Sequence, residues 1–394
     1  MKNLRVVCRS VTNHQTAAHS RLTDCLYLNL WVPKTGEQLS TMIFMHGVTS
    51  GTDLGQLFFM MEDTAQDAMR IIITINYRTG TETKARSEIT ISGQSAGAQS
   101  VGVHLVSEES RDLFDQALMF SNPYSLPFKL LDDGVALGKG VANLIGCPDV
   151  FDLDCWRAVS AEDLLAASRQ ATSAIYNPNE ILQIFEPWSP AVGPYTELPE
   201  EVMIVNQQGA AQKKPTMLGT VREEGWPYIT GIFRNELGNL QYRLFLKAII
   251  PPYYRELINL YPADNTRDAD QRNILSDTCT DFIFYCPSIN ISLSMSDQGY
   301  DNFYFYVLNS AWSFEEEWTE KYKDCWGHVC HGGDLPYIFR SGPLGNVSYS
   351  PGETEMMNHM TAYISNFLHT GDPNIPGRTL LRYVLQRLWW KFGT

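Results

Sequence analysis

One run constrains this 394-residue chain more than any other: Ile89, Thr90, Ile91, Ser92, Gly93, Gln94, Ser95, Ala96, Gly97. A β-branched apolar segment meets the pattern Gly-x-Ser-x-Gly and then a helix-forming stretch, Ser95 to Ser107. A strand that turns this sharply into a helix holds the serine between them in a strained conformation. Its hydroxyl is then exposed at the end of the sheet. Small residues at Gly93 and Gly97 let the neighbouring backbones close up. The helix N-terminus favours negative charge, and the N–H of Ala96, the residue after the serine, is placed to donate to an oxyanion. The arrangement suits Ser95 as a nucleophile.

The rest of the chain supplies a sheet to carry this turn. Candidate strands are residues 27–32, 41–45, 70–77, 88–93, 116–120, 216–220 and 302–308, several of them apolar throughout. Strands buried on both faces read this way. Candidate helices at residues 95–107, 134–144, 161–169, 241–248 and 352–369 alternate with them. The alternation predicts an α/β fold with a mostly parallel central sheet and helices on both faces. Residues 225 to 300, rich in aromatics and proline, are expected as helical excursions around a site within a single domain.

The bulk numbers exclude some functions. With 44 acidic against 30 basic residues the net charge is −14, a surface that repels phosphate backbones, so no nucleic-acid partner is expected. No apolar stretch reaches about 18 residues, so no membrane span is expected. Eight cysteines fall into close pairs: Cys8 and Cys25, Cys147 and Cys155, Cys279 and Cys286, Cys325 and Cys330. With Asn-x-Ser sequons at Asn290 and Asn346 they favour an oxidising, extracellular environment. Residues 1–20 nevertheless lack the apolar run of a secretory signal.

Beyond these features a family resemblance emerges. The run Thr23, Asp24, Cys25, Leu26, Tyr27, Leu28, Asn29, Leu30, Trp31, Val32, Pro33 resembles the second signature of type-B carboxylesterases and cholinesterases. Ile73 to Arg78, Leu113 and Phe114 with Ala117 to Ser121, and Asn366 to Leu368 followed by Thr370 to Asn374 are similar to further family segments. Gln94 stands where many members carry Glu, as in juvenile hormone esterases and various invertebrate esterases. The resemblance implies an α/β-hydrolase fold and cleavage of a small-molecule carboxylic ester through an acyl-enzyme, with no cofactor and no metal. It implies Glu224 as the acid, with Glu223 the competitor. In the histidine loop, residues 327–339, it selects His331 over His328 as the base. Gly47 and Ala96 would supply the oxyanion hole. His14, His19 and His104 read as structural. The resemblance also implies disulfides Cys8–Cys25 and Cys147–Cys155 and secretion, while the position of Cys325 and Cys330 beside the histidine loop makes a third bridge there an expectation. A loop at residues 9–24 without Trp argues against choline esters.

Three departures from the family pattern qualify that expectation. Active members carry consecutive glycines where this chain reads His46, Gly47, Val48, Thr49, Ser50, Gly51. Losing one oxyanion donor typically costs about 10²–10³ in turnover. Only residues 78–87 join two strands expected to be parallel, where a crossover of a dozen or more residues is usual. The expected domain therefore covers residues 1–374, incomplete at its start and between 78 and 87. Residues 375–394 form a tail outside the pattern, with Leu381, Val384, Leu385, Leu388 and Phe392 at helical spacing among Arg378, Arg382, Arg387 and Lys391. Two functions follow as expectations. One is a serine ester hydrolase. The alternative is a catalytically impaired or non-catalytic, esterase-like binding protein.

Overall fold

Along the central strands, successive side chains enter two different cores, as the two-residue period of a strand requires. Leu118 and Phe120 pack on one face with Met42, Phe44, Met217, Tyr306 and Phe367. Ala117 and Met119 pack on the other with Ile89, Ile91, Val101, Leu105 and Phe305. Both faces are dry, so these strands tolerate almost no polar side chain and read as apolar runs. The computed structural model describes residues 28–31, 41–47, 71–75, 88–172, 182, 185–194, 196, 198–313, 320–342 and 348–374.

The strands are β1 (Leu28–Trp31), β2 (Thr41–Met45), β3 (Ile71–Ile75), β4 (Ile89–Gln94), β5 (Gln116–Phe120), β6 (Lys129–Leu130), β7 (Ala191–Val192), β8 (Thr216–Val221) and β9 (Phe303–Leu308). Seven of them form one sheet in the order β1-β3-β2-β4-β5-β8-β9, while β6 and β7 pair separately. Every neighbour in the large sheet is parallel except β1 against β3. The short connection raised by the sequence joins β3 to β4. These strands flank β2 and are each parallel to it. The joining residues 76–87 lie outside the described residues, as do Cys8–Cys25, the loop at 9–24, residues 48–51, Asn346 and the tail at 375–394.

The helices are α1 (Ala96–Val106), α2 (Leu131–Leu144), α3 (Leu153–Ala158), α4 (Ala161–Ala171), α5 (Val202–Gln207), α6 (Trp226–Ile232), α7 (Asn239–Ile249), α8 (Tyr254–Leu260), α9 (Arg272–Cys279), α10 (Cys286–Asp297), α11 (Leu335–Ile338) and α12 (Pro351–Thr370). Helix α1 packs under β4 and β5 on one face, and the side chains of α12 fill the opposite core. Its ends are written in the sequence. Ser350 and Glu353 form a reciprocal capping box, and Gly371 ends the helix at φ 72°.

The excursion between β8 and β9 has its own small core of Ile229, Leu237, Tyr242, Leu246, Ile250, Leu257 and Leu275. A π-helical turn, Thr280–Tyr285, joins α9 to α10. Bridges close between Cys147 and Cys155 and between Cys325 and Cys330. Cys279 and Cys286 remain thiols. They bracket the π-turn, and seven residues of helix separate them by roughly 10 Å along the axis, beyond disulfide reach.

Candidate active site

Gln94 ends β4 and Ala96 begins α1, and Ser95 between them sits at φ 58°, ψ −124°. A side-chain-bearing residue pays about 1–3 kcal/mol for such a backbone, so its surroundings must over-determine it. They do. The Ser95 N–H donates to Phe120 O on β5 (2.9 Å), and Ser95 O accepts from the Gln99 N–H (3.0 Å). A Cβ on Gly93 would lie 2.3 Å from Gly97 O, and one on Gly97 would lie 2.1 Å from Met45 O. The pattern needs glycine twice because three backbones converge here. Gly47, just after β2, closes against the same point: its Cβ would come within 2.8 Å of Ser95 Cβ.

Strand β8 delivers the acids. Beyond Val221 the chain turns, and Glu224 folds back so that its Oε1 accepts the Val221 N–H at 2.9 Å. Its Oε2 lies 2.5 Å from His331 Nδ1, with the carboxylate fully buried and the histidine side chain 5% exposed. Glu223 points the other way. It accepts from His328 Nδ1 (2.9 Å), the Val329 N–H (2.7 Å) and Arg222 (2.7 Å). Burial opposes its charge, but the hydrogen bond from His328, joined by those from Val329 and Arg222, holds the carboxyl down to about 2. The Glu223 N–H also donates to Val329 O (3.1 Å), so the histidine loop is laced to the acid turn. His328 stacks on Trp226, whose indole donates to Asp324 O. His104 bonds Ser110 Oγ at 2.8 Å, and burial lowers its pKa, as a structural histidine allows.

The His331 ring packs against Phe284 of the π-turn (5.2 Å) and Tyr228 of α6 (5.4 Å), which also face each other at 6.4 Å. Its Nε2 lies 2.9 Å from Gln94 Nε2. An amide nitrogen only donates, so the imidazole Nε2 is the acceptor, and Nδ1 carries the proton shared with Glu224. The Tyr228 hydroxyl faces Ser95. Tyr228 leaves 37% of its surface exposed, but burial of its hydroxyl end pushes that group's pKa upward. The imidazole is thus held by the Gln94 amide here.

Two more carboxyls border the site. Burial, reinforced by the Glu224 charge, pushes Asp334 up to about 6, although Tyr306 donates to its Oδ2 at 2.7 Å. Burial pushes Glu186 to about 7, while a hydrogen bond with Gln99 and the His331 charge pull the other way. Sequence reasoning named Ser95, Glu224, His331, Gly47 and Ala96, and the fold gathers Ser95 and Gly47 at one point and Glu224 with His331 beside it. It missed Tyr228 and Glu186, neither of which belongs to a motif. Among the described residues no group of three or more His, Cys, Asp or Glu side chains could hold a metal, and no helix is long and apolar enough to cross a membrane.

A mostly parallel sheet whose central strand hands a strained serine to a helix N-terminus defines an α/β-hydrolase. A family model described as the carboxylesterase family matches residues 3–81 and 86–389. The chain belongs to the carboxylesterase family, a family of carboxylic ester hydrolases. It is 28% identical over 391 residues to the cAMP-regulated D2 protein of Dictyostelium discoideum, covering 89% of this chain and 70% of that one. It is 25% identical over 399 residues to the para-nitrobenzyl esterase of Bacillus subtilis (strain 168), covering 89% and 75%. A solved PNB esterase structure superposes with a TM-score of 0.68 at 22% identity, over 90% of this chain and 78% of that one. At that identity the likeness speaks for the fold alone.

Proposed function

We propose that this chain hydrolyses small-molecule carboxylic esters through an acyl-enzyme on Ser95. The observation that carries the reading is the buried 2.5 Å contact between Glu224 and His331 beside a serine held at φ 58°. Ser95 Oγ attacks the ester carbonyl carbon, and its proton passes to His331 Nε2. The N–H groups of Gly47 and Ala96 receive the oxyanion. Collapse breaks the bond to the alcohol oxygen, which leaves with the proton from Nε2. Water then attacks the acyl-enzyme with His331 again as base, releasing the acid and restoring Ser95. Glu224 holds the Nδ1–H tautomer and stabilises the imidazolium. The Ser95–His331 hydrogen bond belongs to the substrate complex, since such bonds often tighten only there. The two disulfides support function in an oxidising, extracellular compartment.

A second reading, an esterase-like protein with impaired catalysis, draws support from the partner of the ring, which is Gln94. Hydrolysis of p-nitrophenyl acetate by the wild type and Ser95→Ala, with fluorophosphonate labelling of both, decides between them. The proposal expects turnover and labelling that vanish in the variant. Equal rates in the two proteins would retire it in favour of the second reading.

A further inference from the structure

The hydrogen bond between Gln94 and His331 has a consequence for how the base is made available. Gln94 precedes the nucleophile, is 6% exposed, and reaches across to a histidine far along the chain. Its amide donates to the nitrogen that must receive the Ser95 proton. We propose that Gln94 is a positioning residue that masks the base of the unliganded enzyme, and that the imidazole passes from Gln94 to Ser95 when an ester enters. The inference rests on the ester-hydrolase reading above and adds a resting state to it.

The geometry makes the masked state specific. With Nδ1–H committed to Glu224 at 2.5 Å, the ring can accept at Nε2 alone. Two neighbouring rings on one flank limit its swing in that direction, Phe284 at 5.2 Å and Tyr228 at 5.4 Å, themselves 6.4 Å apart. The loop end that carries the ring is also close to the amide: a Cβ on Gly332 would lie 3.7 Å from Gln94 Nε2. The Tyr228 hydroxyl meanwhile faces Ser95. An entering ester that displaces the Tyr228 hydroxyl frees Ser95 to compete with Gln94 for Nε2. One hydrogen bond is exchanged for another, no bond to carbon changes, and the proton stays on Nδ1 throughout.

Two variants test this with readouts that loss of packing would not mimic. Gln94→Leu removes the donor at similar volume. The net worth of one neutral hydrogen bond translates to about two- to tenfold faster fluorophosphonate labelling at pH 7. Gln94→Glu places a carboxylate where the amide lies 2.9 Å from Nε2, which favours the imidazolium. The acid limb of kcat/KM, which requires neutral His331, then moves to higher pH by about one unit or more. The other ionisable groups facing the ring are Glu224 behind Nδ1, Asp334 on its own loop, Glu186 and the Tyr228 hydroxyl, with Cys279 beyond Glu224. They are common to all the proteins compared, so the difference between profiles reads position 94.

A wild-type pH profile in Gln94→Glu overturns the proposal, as does unchanged or slower labelling of a folded Gln94→Leu. If Gln94→Leu fails to fold, the Gln94→Glu profile decides alone. His331→Ala separates this failure from failure of the underlying reading. Loss of labelling and turnover in His331→Ala, with Gln94 variants that behave as wild type, removes only the masking role. Retained turnover in His331→Ala removes both.

Discussion

Replacing Glu224 by Gln changes one atom in a place where the hydrogen-bond network leaves little freedom. In the wild type, Oε1 accepts the Val221 N–H at 2.9 Å and Oε2 faces His331 Nδ1 at 2.5 Å, with the side chain fully buried. The glutamine must point its NH2 at one of these two donors. Pointing it at Val221 opposes two N–H groups out of reach of water, at a cost of about 1–3 kcal/mol. Pointing it at His331 forces the ring into its other tautomer, with Nδ1 bare and the proton on Nε2. A protonated Nε2 faces the Gln94 amide donor-to-donor, so that amide must flip as well. More importantly, it cannot take the proton of Ser95. Exchanging the acid of such a triad for its amide costs about 10⁴ in kcat, or roughly 5.4 kcal/mol of barrier. The assay is turnover of p-nitrophenyl acetate with fluorophosphonate labelling alongside, and a urea midpoint to establish folding. A folded Glu224→Gln protein within about tenfold of wild-type kcat would refute the role of this carboxylate. Glu223→Gln in the same assay should lose far less, since His331 keeps its partner.

Glu223 instead sets a pH dependence of stability. Its carboxyl is depressed from 4.5 to about 2, so its contribution is complete above pH 4.5 and is lost as pH falls toward 2. Discounted for partial solvation, it is on the order of 2 kcal/mol. Urea midpoints at pH 6 and pH 3 should therefore fall further in the wild type than in Glu223→Gln, and parallel curves would contradict this. Gly97→Ala should destabilise by about 3 kcal/mol or more, because the new methyl meets Met45 O at 2.1 Å and neither backbone can yield alone. An unchanged urea midpoint would show that α1 and β2 separate more easily than their packing implies.

The sheet was legible because its inner strands carry their signal residue by residue. Gln116–Phe120 and Thr216–Val221 are buried along their whole length, and after Gln116 every position is β-branched, apolar or small, as strands between two cores require. Helix α12 was legible from its caps. Helix α2 starts at Leu131, three residues before the expected Gly134, and ends at Leu144 as expected. Of the helices between β8 and β9 only one was bounded in the sequence, residues 241–248, which lie within α7. Their N-caps include Gly225, Tyr253 and Gln271, none of which caps through its side chain. The site divides in the same way. Ser95, Glu224 and His331 sit in local patterns. Tyr228 and Glu186 meet them only through tertiary packing, and no spacing along the chain encodes that.

The rivalry between Glu223 and Glu224, and between His328 and His331, resolves into two acid–histidine bridges side by side. Consecutive acids on one turn diverge, so each reaches a different histidine of the same loop. The inner pair is dry, the setting in which a carboxylate acts most strongly on an imidazole. The outer pair is partly solvated, with side chains 17% and 27% exposed, and is reinforced by backbone bonds from Glu223 to Val329 and by the nearby Cys325–Cys330 bridge. A partly solvated hydrogen bond is a poor place for proton transfer but an adequate strut. Clamped there, the loop has little freedom at His331 three residues on, and a 2.5 Å contact can persist without being the element that holds the loop in place. On the proposed mechanism the outer bridge therefore bears the cost of positioning, which leaves the inner one free to gain and lose a proton at Nε2 without the loop coming apart.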